Sequence, residues 1–183
     1  MGQRTFALTF LSLFLSGFLG GEATASPYMG QSYETFSRYY KENISFINDN
    51  DNRHLLPLAL AKSVDPLENK RILYSLIGDT LYAEIFTDED GSTIASCHIT
   101  LTAPQGMEYG NAIYNDFAIS GYQSYALLMA MYPDPDPVRR YTLVTDVVAG
   151  MAEGDGQYKR QLGVYTLSCT RVDNVAELHF QKN

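Results

Sequence analysis

The side chains of this sequence best suited to bind a ligand or exchange a proton are two histidines in strand-like segments. His98 lies in TIASCHITLT and His179 in VAELHF, where apolar residues alternate with polar ones. The alternation places both imidazoles on the polar side of their strands. An imidazole can ligate a metal ion or act as an acid or base near neutral pH.

Acidic and phenolic neighbours share that polar side. A hairpin that pairs Tyr82 with His98 and Ala83 with Cys97 places Glu84 on the same face as His98. If the two hairpins are adjacent, one sheet face presents a candidate binding set: Tyr82, Glu84, His98, Glu177 and His179. A polar outer face on a one-sided antiparallel sheet also requires no special function, and this interpretation stays open.

Motifs of known catalytic centres are missing from the sequence. It contains no G-x-S-x-G, H-E-x-x-H, C-x-x-C or glycine-rich phosphate loop. Residues 48–52 and 88–91 carry acidic oxygens without the spacing of a calcium loop, which favours a solvated loop and a hairpin turn. We therefore predict no catalytic residue, no metal centre and no cofactor.

The chain is rich in tyrosine, with 14 residues and no tryptophan. Tyrosine provides contact area at low entropic cost and is enriched at protein interfaces. Tyr33 and Tyr40 lie on an apolar helical stripe and Tyr165 shares the inward parity of Cys169, so several tyrosines are expected in the core.

The two cysteines predict a disulfide. Cys97 and Cys169 are the only thiols, both fall on the inward side of strand-like segments, and an exported chain meets an oxidising compartment. Two buried free thiols are the alternative.

The amino terminus has the pattern of a secretory signal. Arg4 precedes an apolar stretch over residues 6–19, and Ala23 and Ala25 supply the small side chains that signal peptidase accepts. An uncleaved anchor is less favoured, because 14 helical residues span only about 21 Å of a roughly 30 Å hydrocarbon core. Residues 1–25 are thus predicted to be removed, leaving a secreted or periplasmic domain over residues 26–183 without a membrane span.

The charge and composition of the chain limit the kinds of partner that it is expected to bind. The chain has 183 residues, 45% of them hydrophobic, and a formal charge of −8. This balance predicts one globular domain. An acidic chain does not suit a nucleic-acid phosphate backbone, so no nucleic-acid partner is expected.

Periodicity predicts helices over residues 32–47, 108–132 and 138–151 and strands over residues 55–62, 71–77, 80–86, 92–102, 159–171 and 175–181. Ser32 and Asp136 are placed to cap the first and third helices. The β-branched content of 138–151 leaves a strand open there. Asp173 and Asn174 are expected to form a hairpin turn.

The predicted strands follow one another in groups and do not alternate with the helices, and this order predicts an α+β fold. We expect an antiparallel sheet, a three- or four-stranded meander plus a C-terminal hairpin, with helices packed on one face. This segment order resembles that of small secreted bacterial α+β proteins of uncharacterised function, and it is similar to the helix-and-sheet units of proteinaceous β-lactamase inhibitors. No residue motif of those inhibitors is matched, so the resemblance implies a binding role and assigns no site.

The sequence thus favours a secreted or periplasmic, non-enzymatic protein that binds a protein partner, for instance as an inhibitor or immunity factor. The alternatives are a small-ligand carrier with a cleft between sheet and helices, or a hydrolase. The oligomeric state stays open.

The exported protein should begin at Ser26, because Ala23 and Ala25 satisfy the peptidase and the apolar stretch is too short to remain as a span. Intact-mass measurement of the secreted product tests this. A product that retains residues 1–25 would contradict the localisation.

Overall fold

The computed structural model describes residues 31–51, 53–58, 61–62, 71–75, 80–88, 93–132, 134–153, 156–162 and 165–183. The predicted signal segment lies outside these residues. Among the helices within them, none combines the length and apolar content that crossing a membrane requires.

The first helix, α1, spans Tyr33–Asp51. Ser32 caps it as predicted, since its Oγ accepts a hydrogen bond from the Thr35 amide at 3.2 Å. The helix continues past its predicted end at residue 47. The physical reason is that the Asn48 side chain bonds both backbone groups of Leu55, at 3.0 and 2.8 Å, instead of competing with the helix backbone.

Four strands follow α1 as an antiparallel meander: β1 (Ala61–Lys62), β2 (Arg71–Ser75), β3 (Leu81–Thr87) and β4 (Ile94–Thr102). Of the predicted strand over residues 55–62, residues 61–62 are strand and residues 55–58 are not, while residues 59–60 lie outside the described residues. Residues 55–58 have no strand partner and instead contact α1, where the Leu58 amide donates to the Tyr40 hydroxyl at 3.1 Å.

The register between β3 and β4 differs from the prediction. Ile85 lies opposite Cys97, and Ala83 opposite Ile99, so the predicted pairing of Ala83 with Cys97 is wrong by two residues. Because side chains alternate with a period of two, an even shift leaves every residue on its predicted face.

Two helices connect the meander to the last strands. Helix α2 spans Ala112–Met131 and begins where Asn111 caps the Tyr114 amide at 2.7 Å. Helix α3 spans Pro137–Glu153, and the Asp136 carboxylate accepts from the Val138 amide at 2.9 Å. The cap and the first-turn proline outweigh the β-branched content, so this segment is a helix and not a strand.

The chain ends in three strands: β5 (Gln157–Leu162), β6 (Tyr165–Val172) and β7 (Val175–Lys182). The single strand predicted over residues 159–171 is thus two strands, and Gly163 at their junction was the overlooked signal. The predicted turn at Asp173 and Asn174 is confirmed, with Asp173 at φ 54°.

All strands join one antiparallel sheet in the order β1-β2-β3-β4-β7-β6-β5. Pairing of β4 with β7 joins the meander to the C-terminal strands. The α+β class and the arrangement of meander and C-terminal hairpin are therefore confirmed. Helix α2 contacts β3 and β4, while α3 contacts β5 and β6.

The disulfide prediction is wrong, since Cys97 and Cys169 are both free thiols. Cys97 pairs with Phe180 and Cys169 with Leu178, so strand β7 lies between them. Two strand spacings of about 4.8 Å and a two-residue offset put the Cα atoms about 12 Å apart, whereas a disulfide needs less than about 7 Å. The predicted inward parity holds, and burial raises the pKa of each thiol to about 12.

Arg140 on α3 is a completely buried cation that joins the helices. Its Nε donates to Asn43 Oδ1 at 2.9 Å, its Nη1 to the Asp134 carbonyl at 2.5 Å, and its Nη2 reaches Glu42 Oε2 at 3.4 Å. The guanidinium also lies over the Tyr39 ring, 4.4 Å from its centroid. Every face of the buried charge therefore meets a polar or aromatic partner.

We expect Arg140→Ala to lower the free energy of unfolding by about 2 to 4 kcal/mol, because the buried Asn43 Oδ1 would lose its donor and the space of a completely buried side chain would be left empty. Urea denaturation followed by circular dichroism measures this. Arg139→Ala is the matched control, since Arg139 is exposed and forms surface ion pairs with Asp134 and Asp136, and should change stability by no more than about 0.5 kcal/mol. Equal losses in the two variants would contradict the structural role of Arg140.

Candidate functional site

The side of the sheet opposite the helices carries the predicted binding residues. We call this surface the outer face and define it by the side chains that alternate with the core residues of β3, β4, β7 and β6: Tyr82, Glu84, Phe86, Ser96, His98, Thr100, Ser168, Thr170, Glu177, His179 and Gln181. Within the described chain no helix packs on it. All five predicted residues are members.

Two imidazoles lie at the centre of the outer face. His98 on β4 is directly opposite His179 on β7, and their ring centroids are 4.7 Å apart. The Phe86 ring lies 5.3 Å from that of His98 on its other side. Three rings therefore form a continuous row across three adjacent strands. The two hairpins are neighbours in the sheet, as the predicted binding set required.

Carboxylates flank this row. Glu84 lies opposite His98 across the β3–β4 ladder, and its Oε1 accepts a hydrogen bond from the Tyr82 hydroxyl at 2.7 Å. Glu177 Oε2 is 3.7 Å from His179 Nε2. Each imidazole thus has a neighbouring carboxylate. Glu84 is across the ladder from His98, and Glu177 is two residues before His179 on the same strand.

Burial lowers the pKa of His98, and the neighbouring His179 lowers it further, while Glu84 opposes both effects. At neutral pH His98 is therefore neutral. A neutral imidazole keeps one nitrogen lone pair that can accept a hydrogen bond or ligate a metal ion.

A shallow depression lies beside the row of rings. It has a volume of about 460 Å³ and is lined by Phe86, Thr87, Ala95, Ser96, His98, Gln181 and Lys182. Sequence reasoning missed Phe86, although the alternation along β3 places it on the same side as Tyr82 and Glu84. An open depression with an aromatic wall suits one side chain of a larger molecule.

A second group of titratable side chains, absent from the sequence predictions, lies where α1 ends. The Tyr141 hydroxyl donates to Asp51 Oδ2 at 3.5 Å, and Arg53 Nη2 donates to the Tyr122 hydroxyl at 3.2 Å. Burial raises the pKa of Asp51, with Arg53 and Tyr141 acting against it. Asp51 belongs to the polar stretch predicted as a solvated loop. These contacts tie the segment after α1 to α2 and α3 and do not converge with the outer face.

Among the described residues, no group of three or more His, Cys, Asp or Glu side chains stands in an arrangement that could hold a metal ion. Comparisons with protein-family models, curated proteins and solved structures find no match for this chain.

We expect His98 to titrate below the ordinary histidine pKa of about 6.5 in the folded protein. In His179→Ala the pKa of His98 should rise, because the neighbouring ring that lowers it is removed. Histidine NMR titration measures both values. An unchanged His98 pKa in the variant would contradict the electrostatic coupling of the pair.

Proposed function

We propose that this protein is a non-enzymatic binding protein of the secreted or periplasmic space, and that its outer face binds a basic surface of a partner protein. The observation that carries the proposal is the row of Phe86, His98 and His179 on a sheet face that no described helix covers. Aromatic groups at the centre of a surface provide most of the binding energy at many interfaces, because they fill pockets at low entropic cost.

The dimensions of the sheet support a protein partner. The four strands of the outer face, each about 4.8 Å wide and about eight residues of about 3.3 Å long, give a surface of about 19 by 26 Å. Its area of about 500 Å² on each partner corresponds to a small interface of about 1,000 Å² in total, the size found in weak or transient complexes.

Charge favours a basic partner. Glu84 lies level with His98 on the neighbouring strand and Glu177 lies one outer-face position beyond His179, and the whole chain carries a formal charge of −8. An arginine or lysine side chain could pair with these carboxylates while its stem or guanidinium covers the rings. An acidic inhibitor or immunity factor that covers a basic site on another protein is the finer form of this proposal, and the segment order that resembles β-lactamase inhibitors favours it.

Two other functions have weaker support. A small-ligand carrier would use the depression beside His98, whose volume is in the range of ligand pockets but which is open to solvent. A hydrolase would use Ser168, which lies opposite His179. The described contacts include no hydrogen bond from Ser168 to that imidazole, whereas an activated nucleophile contacts its base.

Charge reversal on the outer face should abolish partner binding. The double variant Glu84→Lys/Glu177→Lys is compared with Asp49→Lys/Asp116→Lys, which makes the same change in net charge at exposed positions of α1 and α2. The unchanged chain is used to capture proteins from the extracytoplasmic milieu, and these are identified and purified. Their affinity for the unchanged chain and for each variant is then measured by titration calorimetry. We expect the outer-face variant to weaken binding by about 30-fold or more, equivalent to about 2 kcal/mol, and the control variant to bind normally.

A variant with His98→Ala and His179→Ala should likewise lose affinity, while its stability changes by only about 0.5 kcal/mol. Undiminished binding by both outer-face variants, or an equal loss in the Asp49→Lys/Asp116→Lys control, would contradict the proposed surface. Absence of any partner that discriminates between the variants would contradict the function itself.

A further inference from the structure

We propose that His98 and His179 form a chelating site for a divalent late-transition-metal ion, with Cu²⁺ the preferred ion. The site uses two imidazoles of the proposed partner surface, but metal binding needs only these imidazoles and solvent and is measured without a partner. Both residues project from adjacent strands onto the same open face and lie directly opposite each other. The sheet therefore fixes the separation of the two Cα atoms from which the imidazoles project.

The observed ring separation matches a bidentate metal complex. With a metal–nitrogen bond of about 2.05 Å and a distance of about 1.15 Å from the nitrogen to the ring centre, each centroid would lie about 3.2 Å from the ion. Nitrogen–metal–nitrogen angles between about 90° and 109°, the square-planar and tetrahedral values, then place the centroids about 4.5 to 5.2 Å apart. The measured separation is 4.7 Å. Backbone movement is not needed to bring the two rings to this spacing.

Glu177 is placed to provide a third donor. Its Oε2 is 3.7 Å from His179 Nε2, whereas two neighbouring donors on one ion at a right angle are about 2.9 Å apart. The Glu177 side chain is 53% exposed, so a change of rotamer can close the difference of less than about 1 Å. In their present rotamers, no three His, Cys, Asp or Glu side chains of the described chain are close enough together to hold a metal ion. The initial complex is therefore a two-imidazole chelate completed by water.

The donor types select the class of ion. Imidazole nitrogen favours Cu²⁺, Ni²⁺ and Zn²⁺, and a given site of this kind binds Cu²⁺ most tightly along the first-row series. Ca²⁺ and Mg²⁺ prefer sites built entirely from oxygen and are not expected here. The ligating imidazoles must be neutral, and the acidic chain raises the local concentration of cations.

The test is Cu²⁺ titration of the purified protein at pH 7 by calorimetry, with electron paramagnetic resonance of the bound ion. Variants His98→Gln and His179→Gln each remove one imidazole and keep a polar side chain of similar reach. His54→Gln is the matched control, because His54 is exposed and lies outside the sheet. Thermal unfolding without metal verifies that each variant is folded.

We expect one tight equivalent of Cu²⁺ with nitrogen hyperfine structure from two imidazoles. Either single substitution should weaken binding at least about tenfold, because the second bond of a chelate forms at high effective concentration. The double variant should lose the site altogether, because each single variant still keeps one imidazole ligand, while Glu177→Gln should cause a smaller loss and His54→Gln none. Normal Cu²⁺ binding by His98→Gln or His179→Gln, tight binding retained by the double variant, or a signal that depends on His54 would overturn the site.

Discussion

The burial of one positive charge holds the helical layer of this protein together. Arg140 can occupy the interior only because the Asn43 side chain, the Asp134 carbonyl and the Glu42 carboxylate satisfy its donors. Asn43 in turn donates to the Ala126 carbonyl of α2 at 3.1 Å. A single guanidinium thus connects α1, α2 and α3. The three helices cannot slide past one another without leaving a buried charge or amide unpaired.

The way the helices pack around Arg140 also determines which surface of the sheet they leave uncovered. Every residue of α2 from Ser120 to the end of the helix is buried, because α1, α3 and the sheet enclose it. Tyr40 and Gln123 add a buried 2.5 Å hydrogen bond between α1 and α2. The three described helices pack on one side of the sheet, so no described helix covers the other side. The outer face is therefore a consequence of the way the helices pack as well as of the polarity of its own residues.

The sequence was most informative where a local pattern is decisive. Alternation in the strands placed Tyr82, Glu84, His98, Glu177 and His179 on the correct side of the sheet, since a face depends only on parity. Capping by Ser32 and Asp136 located two helix starts for similarly local reasons. Register and strand order depend on contacts between distant segments, and no periodic pattern encodes them.

The predictions that the structure contradicts concern contacts between segments that are far apart in the sequence. Inward parity correctly buried Cys97 and Cys169 but did not reveal that β7 separates them, so the predicted bond was geometrically impossible. The contact between His98 and His179 could be predicted only on the condition that the hairpins are adjacent, because it requires the β4–β7 pairing of segments far apart in the chain. Phe86 is a different case, since the local alternation along β3 already placed it on the outer face. Arg140 in the core could not be predicted either. Its burial depends on partners contributed by another helix and by the segment before α3, and an arginine in an amphipathic helix is ordinarily exposed.

The position of β7 in the sheet has a consequence for how the molecule assembles. The last strand of the chain lies near the middle of the sheet, between β4 and β6. The edge of β4 stays unpaired until β7 is in place, and β7 follows β4 only after two helices and two further strands. Such long-range pairing is typical of slow-folding topologies and keeps strand edges exposed until it forms. The contact between the two imidazoles of the ring row consequently exists only once β7 has paired with β4.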